Sequence, residues 1–261
     1  MESVKLYLKY ISLSIKSQLS YKVSFILLSM GNFAITVIEF IGVLALFDRF
    51  ESINGYSVHE IAIFYGVINC SFALAEAFGR GFDQFHKYVQ SGNFDRILLR
   101  PRGVIFQILS QEIQIMRIGR LMQGVFVLFW GFIQIGRDVD FLLVSLVLLS
   151  IIGGIAVFTG LFVLQATLSI FTIESLEIVN AFTYGGVQSA QYPISIYKKW
   201  FQYFFIYIIP LACVSYFPLN GALKNENLVL AFLAPFMGLV FFIFSLFIFK
   251  IGARFYSSTG T

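Results

Sequence analysis

The chain has 261 residues, of which 58% are hydrophobic and 12% charged. Soluble domains carry about 25% charged residues, so this composition excludes an ordinary soluble domain and indicates an integral membrane protein. The net charge of +4 comes from residues scattered between apolar runs, which gives no basis for a nucleic-acid partner. Cys70 and Cys213 both fall within apolar segments without metal-like spacing, and no disulfide framework is implied.

Residues 4–19 carry an apolar stripe at Val4, Leu8, Ile11, Ile15 and Leu19, with Lys5, Lys9 and Lys16 off it. This pattern predicts an amphipathic helix, lying either in the membrane interface or on the protein itself. A first span follows at 23–47, too long for a signal h-region and read as retained. A second span covers 58–78, and a charged segment runs over 80–103. Residues 104–120 are helical in pattern but hold Glu112, Arg117 and Arg120, which places them at the interface or inside the protein, with the three charges expected to share one solvated or interfacial face. A short third span covers 121–135, the turn at 137–140 follows, and the uncharged run 141–173 supplies a fourth. The last span is 227–249, interrupted by Pro235.

The fifth crossing has two readings. Hydropathy favours 200–217, although Pro210 and Pro218 interrupt it; the alternative is 171–190, which makes 192–220 a broken, partly re-entrant hairpin. Both give an all-α polytopic protein with six transmembrane helices, a single transmembrane domain over the full chain and both termini on one side. The first reading puts 15 of the 18 Lys and Arg on the side of the termini; the second puts 13 there. The positive-inside rule makes that side cytoplasmic.

Chemistry-bearing motifs are scarce. There is no phosphate-cradling G-x-x-x-x-G-K-[ST] and no G-x-S-x-G. His59 and His86 are 27 residues apart and expected on opposite sides, so no metal site and no catalytic residue is assigned. Glu39 lies roughly 12 Å deep in the first span, a possible intramembrane polar site or a structural carboxylate. Glu76 and Arg80 have the spacing of a helical ion pair. Gly153, Gly154 and Gly160 suit close helix contact.

Three further stretches carry a resemblance. Residues 92–103 read G-N-F-D-R-I-L-L-R-P-R-G, residues 192–197 read Y-P-I-S-I-Y before Lys198-Lys199, Ile209-Pro210 and Phe217-Pro218, and the tail reads R-F-Y-S-S-T-G. In this order the chain resembles the membrane subunits of type-2 ABC exporters, specifically the stand-alone six-span permeases encoded apart from their ATPase. One departure is Lys198, where the family usually has Arg. The resemblance implies a cytoplasmic coupling helix between spans 2 and 3, with Gly92, Phe94, Asp95, Arg96, Leu98, Arg100, Pro101 and Arg102 docking into an ATP-binding subunit. Independently of the family, Phe94, Ile97, Leu98 and Leu99 suit anchoring and the charged residues suit pairing. It implies a gate at the outer end of the path, with Tyr192, Pro193, Tyr197, Pro210 and Pro218. It also implies a second permease, identical or related, membrane lipid as surroundings, and ATP and Mg bound by the partner ATPase rather than by this chain. Export of a hydrophobic or amphipathic compound across a bacterial plasma membrane is the expected activity. A non-transporting scaffold and a lipid-modifying membrane enzyme are the alternatives.

Overall fold

The second apolar run becomes the axis of the molecule. The computed structural model describes residues 2–136, 139–172 and 176–257. Arg137, Asp138, Glu174 and Ser258 to Gly260 of the tail lie outside the described residues. Helix α1 (Glu2–Ser20) turns at Tyr21 into α2 (Lys22–Arg49), and α3 (Val58–Asp83) follows a short loop. Its start is fixed by a capping box: the Ser57 hydroxyl accepts from the Glu60 amide, and the Glu60 carboxylate accepts from the Ser57 amide at 2.8 Å. Short helices α4 (Phe85–Gln90), α5 (Asn93–Leu98) and α6 (Val104–Gln111) lead to α7 (Ile118–Gln134) and α8 (Phe141–Phe171).

Helix α3 is buried nearly all round and lies between α7 and α8; α2 covers α7 on one side. In the most apolar window of α3, 83% of residues are buried, against 11% for α2. The chain closes with α13 (Leu228–Leu233) and α14 (Phe236–Gly252), the latter packed along α8. Gly153 permits that approach: a Cβ there would lie 2.7 Å from the Pro235 carbonyl oxygen, and one at Gly154 would lie 2.5 Å from Ser71 Oγ on α3.

Between α8 and α13 run α9 (Leu176–Ala190), α10 (Lys199–Tyr203), a π-helical turn over Phe204–Ile208, α11 (Leu211–Val214) and α12 (Tyr216–Lys224). Their side-chain contacts separate the two readings of the fifth crossing. Asn54 Nδ2 donates to Ser195 Oγ at 2.9 Å, Tyr56 donates to Asn220 Oδ1 at 2.6 Å, and Lys224 pairs with Glu60 at 2.8 Å. Both ends of the stretch 195–224 therefore meet the same α2–α3 loop, at the same end of the bundle. The limbs Lys199–Ile208 and Leu211–Lys224 bend by 76° at Pro210, so this stretch enters and returns. Helix α9, about 22 Å long at 1.5 Å per residue, makes the fifth passage, from the α8 end beside Phe255 to the Asn54 loop. Hydropathy favours the other segment because α9 is shorter and more polar.

Helix α1 divides its apolar stripe. Ile11 and Ile15 turn towards α3 and the 113–118 segment, while Leu8 and Leu19 stay exposed. It is thus both packed on the protein and open to an interface.

Candidate functional site

The bundle ends differ in chemistry. One end holds α1 and residues 84–117, with most of the basic residues; the other holds the 50–57 loop and the hairpin ends.

At the basic end, α5 starts at Gly92, whose φ of 68° is the left-handed conformation that glycine adopts without penalty. That turn swings α5 back beneath the bundle. Phe94 is fully buried, with ring centroids 4.8 Å from both Phe85 and Tyr256, and Phe85 in turn meets Phe249. Ile97 is buried beside it. Gln107 of α6 donates to the carbonyls of Ile97 at 3.0 Å and Arg102 at 2.8 Å, closing the loop. Burial and the neighbouring Asp95 carboxylate both push the Tyr256 hydroxyl above its usual range. What faces outward is Arg96, Leu98, Leu99, Arg100, Pro101 and Arg102, with Leu99 86% exposed.

This placement corrects one expectation. Phe94 and Ile97 anchor the segment to its own chain, because the Gly92 turn directs them into the aromatic core, and they present no surface to a partner. Asp95 is half-buried against the tail rather than offered outward. Leu98, Leu99 and the arginines form the accessible tip.

Behind the tip lies a buried ionic cluster. Glu76, only 1% exposed, receives Arg117 at 3.3 Å and Arg120 at 3.5 Å, and the Tyr184 hydroxyl of α9 donates to it at 3.4 Å. Arg120 also lies over the Phe72 ring, 5.0 Å from its centroid. The expected Glu76–Arg80 pair does not form: Arg80 binds Asp83 instead. Nor do Glu112, Arg117 and Arg120 share a solvated face, since the helix breaks at 112–114 and both arginines turn inward. An i,i+4 rule sees only neighbours along one helix; the true partners come from the α3–α7 contact. The one hint in the sequence is that Glu76 and Arg120 are each charges in mainly apolar segments, which says nothing of their pairing.

At the other end, Tyr192 is half-buried, and its hydroxyl neighbours include the Tyr197 region; Tyr197 donates to the Ser189 carbonyl at 3.1 Å. Pro193, Pro210 and Pro218 are all buried. Pro193 follows α9 and Pro210 separates the limbs, but Pro218 sits in the first turn of α12 and breaks nothing. The returning limb is latched: Lys224 pairs with Glu60, donates to the Gly55 carbonyl at 3.1 Å and lies over Tyr56. Burial, the first cause, raises the Tyr56 hydroxyl well above its ordinary value. The entering limb instead exposes Trp200 (67%), Tyr203 and Tyr207 (77%).

Glu39 is half-buried on α2 and makes no hydrogen bond or ion pair among the described residues. His59 meets Trp130 edge-to-face at one end of α3 and His86 touches the Asp83 carbonyl at the other. Among the described residues no group of His, Cys, Asp or Glu could hold a metal ion.

A protein-family model described as ABC-2 family transporter protein matches residues 33–260. No curated protein and no solved structure gives a significant match. The matched stretch runs from within α2 through the rest of the bundle, with the tip at 98–102 and the hairpin, and so the chain belongs to the ABC-2 transporter family, as the membrane permease of an ABC transporter whose family works with an ABC ATP-binding partner.

Proposed function

We propose that residues 92–103 are where this permease takes hold of its ATP-binding subunit, and that the protein exports a hydrophobic or amphipathic compound across a bacterial plasma membrane. The observation that carries the docking assignment is the two-faced build of the segment. Its inner face is fixed by Phe94, Ile97 and Gln107, while Leu98, Leu99, Arg100 and Arg102 project from it. A rigid base with an apolar and cationic tip suits force transfer from a partner groove carrying carboxylates.

Movement of the tip has a continuous route inward. Gln107 joins it to α6, the Gln114 amide donates to Ala77 of α3 at 3.1 Å, and Arg117 and Arg120 reach Glu76, which contacts Tyr184 of α9. In this reading α9 carries the motion to the hairpin, whose entering limb acts as the gate. A second permease, identical or related, completes the path, ATP and Mg are bound by the ATPase, and both termini lie in the cytoplasm.

The test is mild-detergent purification of the tagged permease with quantification of what accompanies it. Wild type is expected to bring a stoichiometric ATP-binding subunit, and Arg100→Glu with Arg102→Glu to lose it while the permease stays folded. Undiminished recovery with the double variant would overturn the docking assignment. Complete absence of an ATPase would favour a scaffold.

A further inference from the structure

The inner flank of α1 forms a two-compartment cleft that the transport reading does not use. A polar compartment of about 470 Å³ lies between α1 and the segment 110–116, with Tyr10, Ser14, Ser110, Gln111, Glu112 and Gln114 on its walls. It runs into an apolar compartment of about 250 Å³ bordered by Tyr21, Phe25, Leu28 and Met116. The two share Ser17, Gln18 and Met116, so they are continuous. Their floor is fixed: Ser14 donates to the Ile113 carbonyl at 2.9 Å, and the Ile115 amide donates to Gln18 Oε1 at 3.0 Å.

The cleft changes character where the chain does. Its polar half lies along the amphipathic helix, and its apolar half follows the first turns of α2, where Val23, Ile26 and Leu27 are exposed as on a lipid-facing span. Tyr21 marks the corner, a residue type favoured at membrane interfaces. A phospholipid makes the same change from polar headgroup to apolar chain. The lining also selects a headgroup. Glu112 is the one ionic residue bordering the polar half, and no Lys or Arg lines it. Glu112 Oε1 accepts from Gln114 at 2.9 Å, leaving Oε2 without a partner among the described residues. The Ser17 hydroxyl and the Gln111 amide can donate to a phosphate, and the carboxylate can pair with an ammonium group. An anionic headgroup lacking an amine would set its charge against Glu112.

We infer that this cleft binds one phospholipid with an amine-bearing headgroup, phosphatidylethanolamine, from the leaflet at the basic end of the bundle. The bound lipid braces the contact between α1 and residues 113–115.

The probe is native mass spectrometry of the full chain from nanodiscs of equimolar phosphatidylethanolamine and phosphatidylglycerol, with hydrogen exchange of α1 read in parallel. Wild type is expected to retain one phosphatidylethanolamine, preferred about fivefold over phosphatidylglycerol, as for one partly exposed ion pair. Glu112→Gln should bring that ratio close to unity while lipid is still retained. Ser17→Trp, which plugs the junction, should release the lipid and speed exchange in α1 without changing exchange in α3. Equal retention of both lipids by wild type, or an unchanged ratio in Glu112→Gln, would overturn the assignment. So would undiminished retention in a folded Ser17→Trp protein. If Ser17→Trp does not fold, the Glu112→Gln ratio decides alone.

Discussion

The segment 92–103, proposed above as the docking site, and the hairpin both interrupt the helical bundle, yet they are held in different ways. Residues 92–103 are fixed at the base by Phe94, Ile97 and Gln107 and free at a charged tip. Residues 199–224 are held along one limb by Leu211 to Ser215 and the Lys224–Glu60 latch, whereas the other limb packs one face on the core through Phe201, Phe204 and Phe205 and leaves Trp200 and Tyr207 exposed on the opposite face. A lever needs a stiff base and a protruding end, whereas a gate needs one anchored edge and one that can swing. The exposed groups differ to match: arginines and Leu99 at the tip suit a protein partner in water, and aromatic rings on the entering limb suit lipid or a second permease.

Four substitutions test that contrast. Phe94→Ala should cost about 3–5 kcal/mol, the usual range for emptying a buried phenylalanine site, and lower the melting temperature in detergent. If the loss is small, the base is not rigid. Glu76→Gln should cost about 3 kcal/mol by leaving Arg117 and Arg120 buried without a full counter-charge, read by the same melting experiment. Gly92→Ala should cost about 1–2 kcal/mol because of the left-handed backbone, and Gly92→Asn distinctly less. Tyr207→Ser on the exposed face of the entering limb should change stability by no more than about 0.5 kcal/mol while lowering transport, which would separate gate from scaffold. A large stability loss there would mean that both limbs are anchored.

Much of this was legible in the sequence. The 23–47, 58–78 and 141–173 runs became α2, α3 and α8 because a 20-residue apolar run has few other solutions. The close-contact reading of Gly153 and Gly154 held for the same reason that small residues mark helix interfaces. The fifth passage was not decided by hydropathy, because α9 carries polar residues and is short; what identifies it is the meeting of Asn54 with Ser195 and of Tyr56 with Asn220, contacts 141 and 164 residues apart in sequence. At the coupling segment the motif located the loop but not its orientation. Phe94 and Leu99 look equally suited to anchoring in the sequence, and only the turn at Gly92 sends one inward and leaves the other out. The Glu76 cluster was likewise hidden, since its arginines arrive from another helix.

The most direct test of the central claim is site-specific photocrosslinking in intact membranes, with a benzophenone amino acid placed at Leu99 in one protein and at Tyr207 in another. The account predicts a crosslink from Leu99 to the ATP-binding subunit and none to that subunit from Tyr207. Crosslinking of the ATPase from Tyr207, or a complex that copurifies with the ATPase yet gives no adduct at Leu99, would contradict it.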